Sequence, residues 1–229
     1  IKEGQAIVKV SDSVPDALAA GCKCALAQVI HGLDTVGVGM GDQVVIQGAG
    51  GLGLYATAVA KARGAKQVIV IDGHDSRLEL ARAFGADRVI SLQQVPDKKM
   101  RVMQVVQATG GGAQVVVEVV GRAEAIKEGQ RMLQRGGRYL VMGCIVPRDT
   151  FTADPSIWVG GNLTLHAVSL YPTQALINAM DFVEAHGDKL PLDAMVAETY
   201  ALDDFEAAIQ AADALGKSPT AARVALQIA

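Results

Sequence analysis

The segment Gln43–Asp72, QVVIQGAGGLGLYATAVAKARGAKQVIVID, decides the fold. Gln43 to Gln47 is a short β-branched run that reads as a buried strand, and it passes directly into Gly48, Gly50 and Gly53 in the spacing G-x-G-x-x-G. Tyr55 to Arg63 carries small and apolar residues without a breaker, so a helix begins inside the glycine run. A second apolar run, Val68 to Ile71, ends on Asp72, 19 residues past Gly53. Each part has a physical task. Gly48 allows the tight strand-to-helix turn, Gly50 lets the backbone approach a pyrophosphate, and Gly53 lets helix and strand pack closely. The N–H groups and positive dipole end of the new helix face the phosphates. Asp72, at the carboxyl end of the second strand, is placed to accept hydrogen bonds from a ribose 2′-OH. The layout predicts a dinucleotide site.

Working outward, Ala6 to Val10 reads as strand-like and leads through Ser11, Asp12 and Pro15 into an apolar helix from Ala17 to Leu33. Beyond Asp72 the alternation continues with a helix over Ser76–Phe84, a strand over Arg88–Ser91 and a helix over Lys98–Thr109 that Gly110 breaks. Val115 to Val119 is a continuous β-branched run, the pattern of a strand buried on both faces. A helix from Glu124 to Gln134, a strand from Tyr139 to Met142 and a sixth strand from Leu163 to Val168 follow. Helices over Thr173–His186 and Leu202–Leu215 and a last strand over Ala222–Gln227 complete the reading. Strand and helix alternating through short glycine-containing connections predict an α/β fold with a doubly wound parallel sheet, its ligand at the carboxyl ends of the strands.

The totals exclude several classes. With 229 residues, half of them hydrophobic, the chain has ample material for a core. A net charge of −3 without a block of Lys and Arg argues against nucleic acid and anionic membrane as partners. No apolar run reaches the length of a membrane span. Cys22, Cys24 and Cys144 are an odd, sparse set that makes no disulfide framework and fits a reducing cytoplasm. Ile1 opens neither a signal peptide nor a natural start, from which we expect coding sequence upstream.

The segments CKCALAQVIHGL, GDQVVIQGAGGLG, VIVIDGHDSRLELARAFGAD, VVVEVVGR, GGRYLVMG and LDDFEAAIQA, in that order, resemble the medium-chain, zinc-type alcohol dehydrogenases. The resemblance implies that residues 1–25 end a GroES-like catalytic domain, 26–170 form the NAD-binding Rossmann domain, and 171–229 return to the catalytic domain. It implies an NAD-dependent oxidoreductase that moves a hydride between an alcohol or polyol and NAD, with zinc polarising the oxygen. Most of the catalytic domain has no counterpart here, so the isolated chain is expected to be inactive.

Carried over residue by residue, Cys24 falls 24 residues before Gly48, where the family places a catalytic zinc ligand. A free Cys is also commonly buried as a small hydrophobe. Gly51 and Leu52, inside the fingerprint, join Gly48, Gly50, Gly53 and Asp72 as cofactor-binding positions. Arg77 resembles a base beside the adenosine ribose, or is a solvated charge at a helix start. Val119, Gly121 and Arg122 resemble the wall of the adenosine pocket. Backbone groups of Met142 and of Ala167 to Ser169 match strand ends that bind the nicotinamide carboxamide. Gln28 stands where relatives commonly have Thr. Arg223 falls where a base often reaches the pyrophosphate, its alternative being an exposed Arg on the last strand. The resemblance also implies a homodimer or dimer-based tetramer, paired along the sixth strand near Trp158 and Tyr171. Two other readings stay open: a zinc-free quinone or enoyl reductase of the same superfamily, and a dinucleotide-binding module without chemistry.

Overall fold

The computed structural model describes residues 7–144, 146–216, 220 and 222–228. Its first helix, α1 (Asp16–Gly21), runs through a π turn (Cys22–Leu26) into α2 (Ala27–Thr35). The chain then gives β1 (Gln43–Gln47), α3 (Gly51–Ala62), β2 (Gln67–Asp72), α4 (Asp75–Ala83), β3 (Arg88–Ser91), α5 (Lys98–Thr109), β4 (Ala113–Glu118) and α6 (Ala123–Gly129). After a 3-10 turn at Gln130–Met132 come β5 (Leu133–Val141), α7 (Pro155–Gly161), β6 (Thr164–Ala167) and α8 (Thr173–His186). Short 3-10 turns then lead to β7 (Val196–Ala201), α9 (Phe205–Gly216) and β8 (Arg223–Gln227).

Strands β1 to β6 form one parallel sheet in the order β3-β2-β1-β4-β5-β6. Side chains alternate across it. Val44 and Ile46 of β1 enter a core shared with Leu26 and Leu33 of the first helices, Leu54 of α3 and Leu78 of α4. Val45 points the other way, into a second core with Ile69, Ile90, Val105 and Val116. Apolar burial on both faces explains why β1, β2 and β4 read as unbroken β-branched runs. From β1 the chain winds outward to β3 and then returns to β4 on β1's other side, so the connections leaving β1 and β4 part in opposite directions. That parting opens a crevice at the carboxyl ends of the strands.

The structure departs from the sequence reading in places. Ile7 to Val10 are irregular rather than a strand, and Ala6 and Ile1 lie outside the described residues. The helix expected to reach Gln134 ends at Gly129, because Leu133 is taken up into the sheet opposite Ala113. Sheet pairing and the burial of Met132 outweigh the local helical pattern there. The short α7 and β7 went unread. β7 pairs in parallel with β8 in a separate two-stranded sheet. No helix among the described residues is long and apolar enough to cross a membrane.

Candidate dinucleotide-binding site

The turn between β1 and α3 has the geometry its glycines imply. Gly48 has φ +106°, a conformation other residues rarely adopt, and a Cβ there would lie 3.2 Å from the carbonyl carbon and oxygen of Val119. At Gly53 a Cβ would sit 1.8 Å from the Gly48 oxygen, so helix and turn touch backbone to backbone. Gly50 differs from both. Its backbone is extended (φ −74°, ψ −173°) and nothing lies within 4 Å of an added Cβ. Room is left at the one glycine whose task is to admit a ligand. Leu54 N–H is the first of the helix ladder, returning to the Gly50 carbonyl at 2.9 Å. The earlier N–H groups of the turn are thus outside that ladder, which is the property of a helix start that attracts anions.

Asp72 ends β2 beside this turn and is buried. Its Oδ2 accepts the Ala49 N–H at 2.7 Å and its Oδ1 the His74 N–H at 2.8 Å. The acid predicted to meet a ribose therefore also ties the glycine turn to the β2–α4 turn. Each carboxylate oxygen offers two lone pairs, so both keep capacity for a ribose hydroxyl. The carboxylate lines a cavity of about 450 Å³ together with Gly73, His74, Arg77, Val120 and Arg122. A larger groove, about 640 Å³, runs outside it between α5 and α6, lined by Lys98, Val102, Met103, Lys127 and Arg131. Of the two, only the smaller takes in Asp72 and the turn that follows β2, so it is the cofactor candidate.

Residues distant in sequence converge here. Arg223, on β8, lays its guanidinium against the start of α3: a Cβ on Gly51 would stand 3.0 Å from Nη2 and 3.5 Å from Nε. A cation and a helix N-terminus thus face the same space, the arrangement that suits a pyrophosphate. Arg77 Nε donates to the Thr220 carbonyl at 3.2 Å, so part of its guanidinium ties α4 to the C-terminal segment. Val119 packs against Gly48, and Gly121, at φ +82°, approaches the Gly143 carbonyl, an added Cβ falling 2.9 Å from it. Met142 is buried, while Ala167 and Ser169 are exposed at the end of β6. Leu52 and Gln28 are partly buried.

Cys24 is exposed, and Cys22 is buried with its thiol donating to the Leu18 carbonyl at 3.3 Å. Burial pushes the Cys22 thiol up to about 12. The structure therefore rules out a buried role for Cys24 and assigns that role to Cys22. Tyr171, whose phenol is held above its ordinary value by partial burial and then by Cys24, stands near that thiol. Among the described residues no group of three His, Cys, Asp or Glu side chains could hold a metal ion. A catalytic zinc does not fit the described residues.

Glu118 was missed in the sequence. It is fully buried at the end of β4, and its Oε1 accepts the N–H groups of Val120 at 2.7 Å and Gly121 at 2.6 Å. Its Oε2 accepts the Gly143 N–H at 3.2 Å. Burial, and then the charge of the nearby Glu118 carboxylate, push the Cys144 thiol up to about 11. The available signal was an acid inside the apolar run VVVEVV, where a solvated charge has no place. Gln47 gives a parallel case at the end of β1, accepting the Tyr139 hydroxyl proton at 2.5 Å.

The family profile described as zinc-binding dehydrogenase matches residues 51–185. The chain is 34% identical over 214 residues to a 5-exo-hydroxycamphor dehydrogenase of Pseudomonas putida, covering 92% of this chain and 58% of that protein. Its fold matches the crystal structure of an alcohol dehydrogenase from Thermotoga maritima with a TM-score of 0.88 at 28% identity, over 97% of this chain and 60% of that one. A benzyl alcohol dehydrogenase from Acinetobacter calcoaceticus matches with a TM-score of 0.83 at 30% identity, over 97% and 59%. The chain thus spans a little over half the length of these relatives.

Proposed function

The chain belongs to the zinc-binding dehydrogenase family, and from that premise we propose that it provides the NAD site of an oxidoreductase acting on an alcohol or polyol. One observation carries the reading: a glycine turn with open space at Gly50 meets the start of α3 under the Arg223 guanidinium, with Asp72 at the end of the next strand. In this reading the first-turn N–H groups and Arg223 bind the pyrophosphate, and Asp72 accepts from the adenosine ribose. Val119, Gly121 and Arg122 wall the adenosine pocket, and the backbone at the ends of β5 and β6 orients the nicotinamide half. The bound nicotinamide supplies the chemistry, exchanging a hydride with the carbinol carbon. The chain's own residues bind it, fix its face and exclude water from the crevice.

The same reading gives NAD over NADP, because a 2′-phosphate would meet the Asp72 carboxylate. It also gives a two-fold pair along β6, the edge strand, where Leu165 is exposed beside Val159 and Leu170. The test is a titration with NADH and NADPH, followed by energy transfer from Trp158, the single tryptophan. NADH is expected to saturate with a Kd between about 1 µM and 1 mM, and NADPH to bind at least about tenfold more weakly. No saturable NADH signal would refute the reading, and equal affinities would refute the cofactor choice.

A further inference from the structure

We propose that Glu118 is a positioning residue for the cofactor crevice: its buried carboxylate anchors the two loops that leave β4 and β5, so that the crevice is shaped before the dinucleotide arrives. The inference rests on the NAD reading for what the crevice receives, but the anchoring stands on the geometry alone. β4 lies next to β1, at the place where the winding of the sheet reverses. Its residues Val115, Val116 and Val117 are apolar and fully buried, and the strand then ends on an acid with no exposed surface. Burying a carboxylate is unfavourable unless donors surround it. Here they do. Val120, Gly121 and Gly143 give backbone N–H groups to its two oxygens.

All three partners are donors, which suits the acceptor-only carboxylate. They belong to two separate loops beyond the strands. The β4 loop supplies Val120 and Gly121, and the β5 loop supplies Gly143. The space around the carboxylate is closed. A Cβ on Gly143 would fall 2.8 Å from Glu118 Oε1 and 2.6 Å from Gly121 N, so this position has room only for hydrogen. Val119, between the acid and the anchored amides, packs against Gly48 and against the Gly53 side of the turn. A loop fixed by Glu118 is therefore held against the glycine turn. Loops ordered in the free protein need not be ordered when the ligand binds, and that saving appears as affinity.

The test combines amide exchange with cofactor binding. In the unmodified protein the N–H groups of Val120, Gly121 and Gly143 should exchange slowly although they lie in loops. Glu118→Gln keeps the size but turns one acceptor into a donor that faces N–H groups. It should speed exchange at Val120 and Gly121 by at least about tenfold and raise the NADH Kd by a similar factor, with exchange in β1 unchanged; Gly143, which also donates to the Glu118 main-chain carbonyl at 3.1 Å, should respond less. Glu118→Asp, which keeps the charge on a shorter arm, should fall between the two and serves if the Gln variant does not fold. Fast exchange of the three amides in the unmodified protein would overturn the anchoring. A Glu118→Gln protein with lowered thermal stability but an unchanged NADH Kd would make the acid merely structural and overturn the positioning role. If the unmodified protein binds no NADH, the cofactor reading falls instead, and the exchange rates still decide whether the carboxylate anchors the loops.

Discussion

Two neighbouring glycines should respond to the same substitution in opposite ways. At Gly53 an added methyl carbon would lie 1.8 Å from the Gly48 oxygen and 2.8 Å from its carbonyl carbon. Ordinary contact begins near 3.4 Å, and the obstacle is backbone, which cannot swing aside as a side chain does. The start of α3 would have to move by more than 1 Å against β1, whose side chains are packed in both cores. Overpacking of a well-filled core costs about 1–3 kcal/mol and sometimes more, and the rigidity of this contact puts Gly53→Ala at the upper end. In a domain of this size about 3 kcal/mol lowers Tm by roughly 6–12 °C. At Gly50 the methyl meets nothing within 4 Å, and the extended backbone is one that alanine adopts freely. Gly50→Ala should leave stability unchanged or raise it by about 0.4–1 kcal/mol through the unfolded chain.

Binding separates the two. In Gly50→Ala the methyl would enter the space proposed for the pyrophosphate, so NADH affinity should fall at least about tenfold in a protein that is fully folded. Gly53→Ala should lose both stability and affinity. Thermal unfolding and NADH titration of the two variants side by side form the assay. If Gly50→Ala binds NADH as the unmodified protein does, the open space is not the phosphate site and the reasoning fails. If Gly53→Ala unfolds at the unmodified temperature, the close contact is not what holds the turn.

Asp72→Gly should erode the preference for NADH over NADPH and, by leaving the buried Ala49 N–H without its partner, cost about 1–3 kcal/mol in denaturant unfolding; unchanged stability would sever the carboxylate from the turn. Titration with a thiol reagent at pH 8 should find Cys24 quick and Cys22 silent until unfolding, with Cys144 reacting about a hundredfold more slowly than an ordinary thiol because burial and Glu118 raise it from 9.0 to about 11. Cys22, Cys144 and Tyr55 ionise at higher pH when folded than when unfolded, so they stabilise the fold fully below pH 9; that stability should be lost as pH rises from 9 toward 12, and a flat denaturation midpoint there would refute it. Thr164→Pro, on the edge strand β6, should yield a monomer by light scattering with NADH affinity kept, and a monomeric unmodified protein would remove the proposed pairing.

The sequence made the cofactor half legible where its signal is local. The strand, the three glycines, the helix and Asp72 lie within thirty residues, and each has a steric or electrostatic reason that spacing alone conveys. Arg223 stands 172 residues after Gly51, and only the family resemblance suggested that the two would meet. The second role of Asp72 was hidden for a related reason: its partners Ala49 and His74 are backbone amides, which leave no mark on composition. Helix α6 was read too long because Gln130 to Gln134 carry no helix breaker. What ends the helix is a partner strand, Ala113 opposite Leu133, that local pattern cannot reveal. The π turn over Cys22–Leu26 was equally invisible, although it contains both buried Cys22 and exposed Cys24.

Charge is divided in the crevice in a way that reconciles its two acids with the proposed anionic ligand. A pyrophosphate calls for positive potential, and the α3 start and Arg223 provide it at Gly51. Asp72 and Glu118 would oppose that potential if their charge faced the same space. Both instead turn their oxygens to backbone N–H groups, Ala49 and His74 for Asp72, and Val120, Gly121 and Gly143 for Glu118. Each of those amides belongs to a turn or loop at a carboxyl strand end, and of the five only Gly143 also reaches a main-chain carbonyl, that of Glu118 at 3.1 Å. The acids therefore replace the missing ladder at the two places where the sheet stops and the crevice begins. Asp72, at the cavity wall, keeps lone pairs for a ribose hydroxyl, whereas Glu118, with no exposed surface, has none to offer. One carboxylate can therefore both bind and brace, and the other can only brace, which is why substitution of Glu118 should act on NADH through the loops and never through a lost contact.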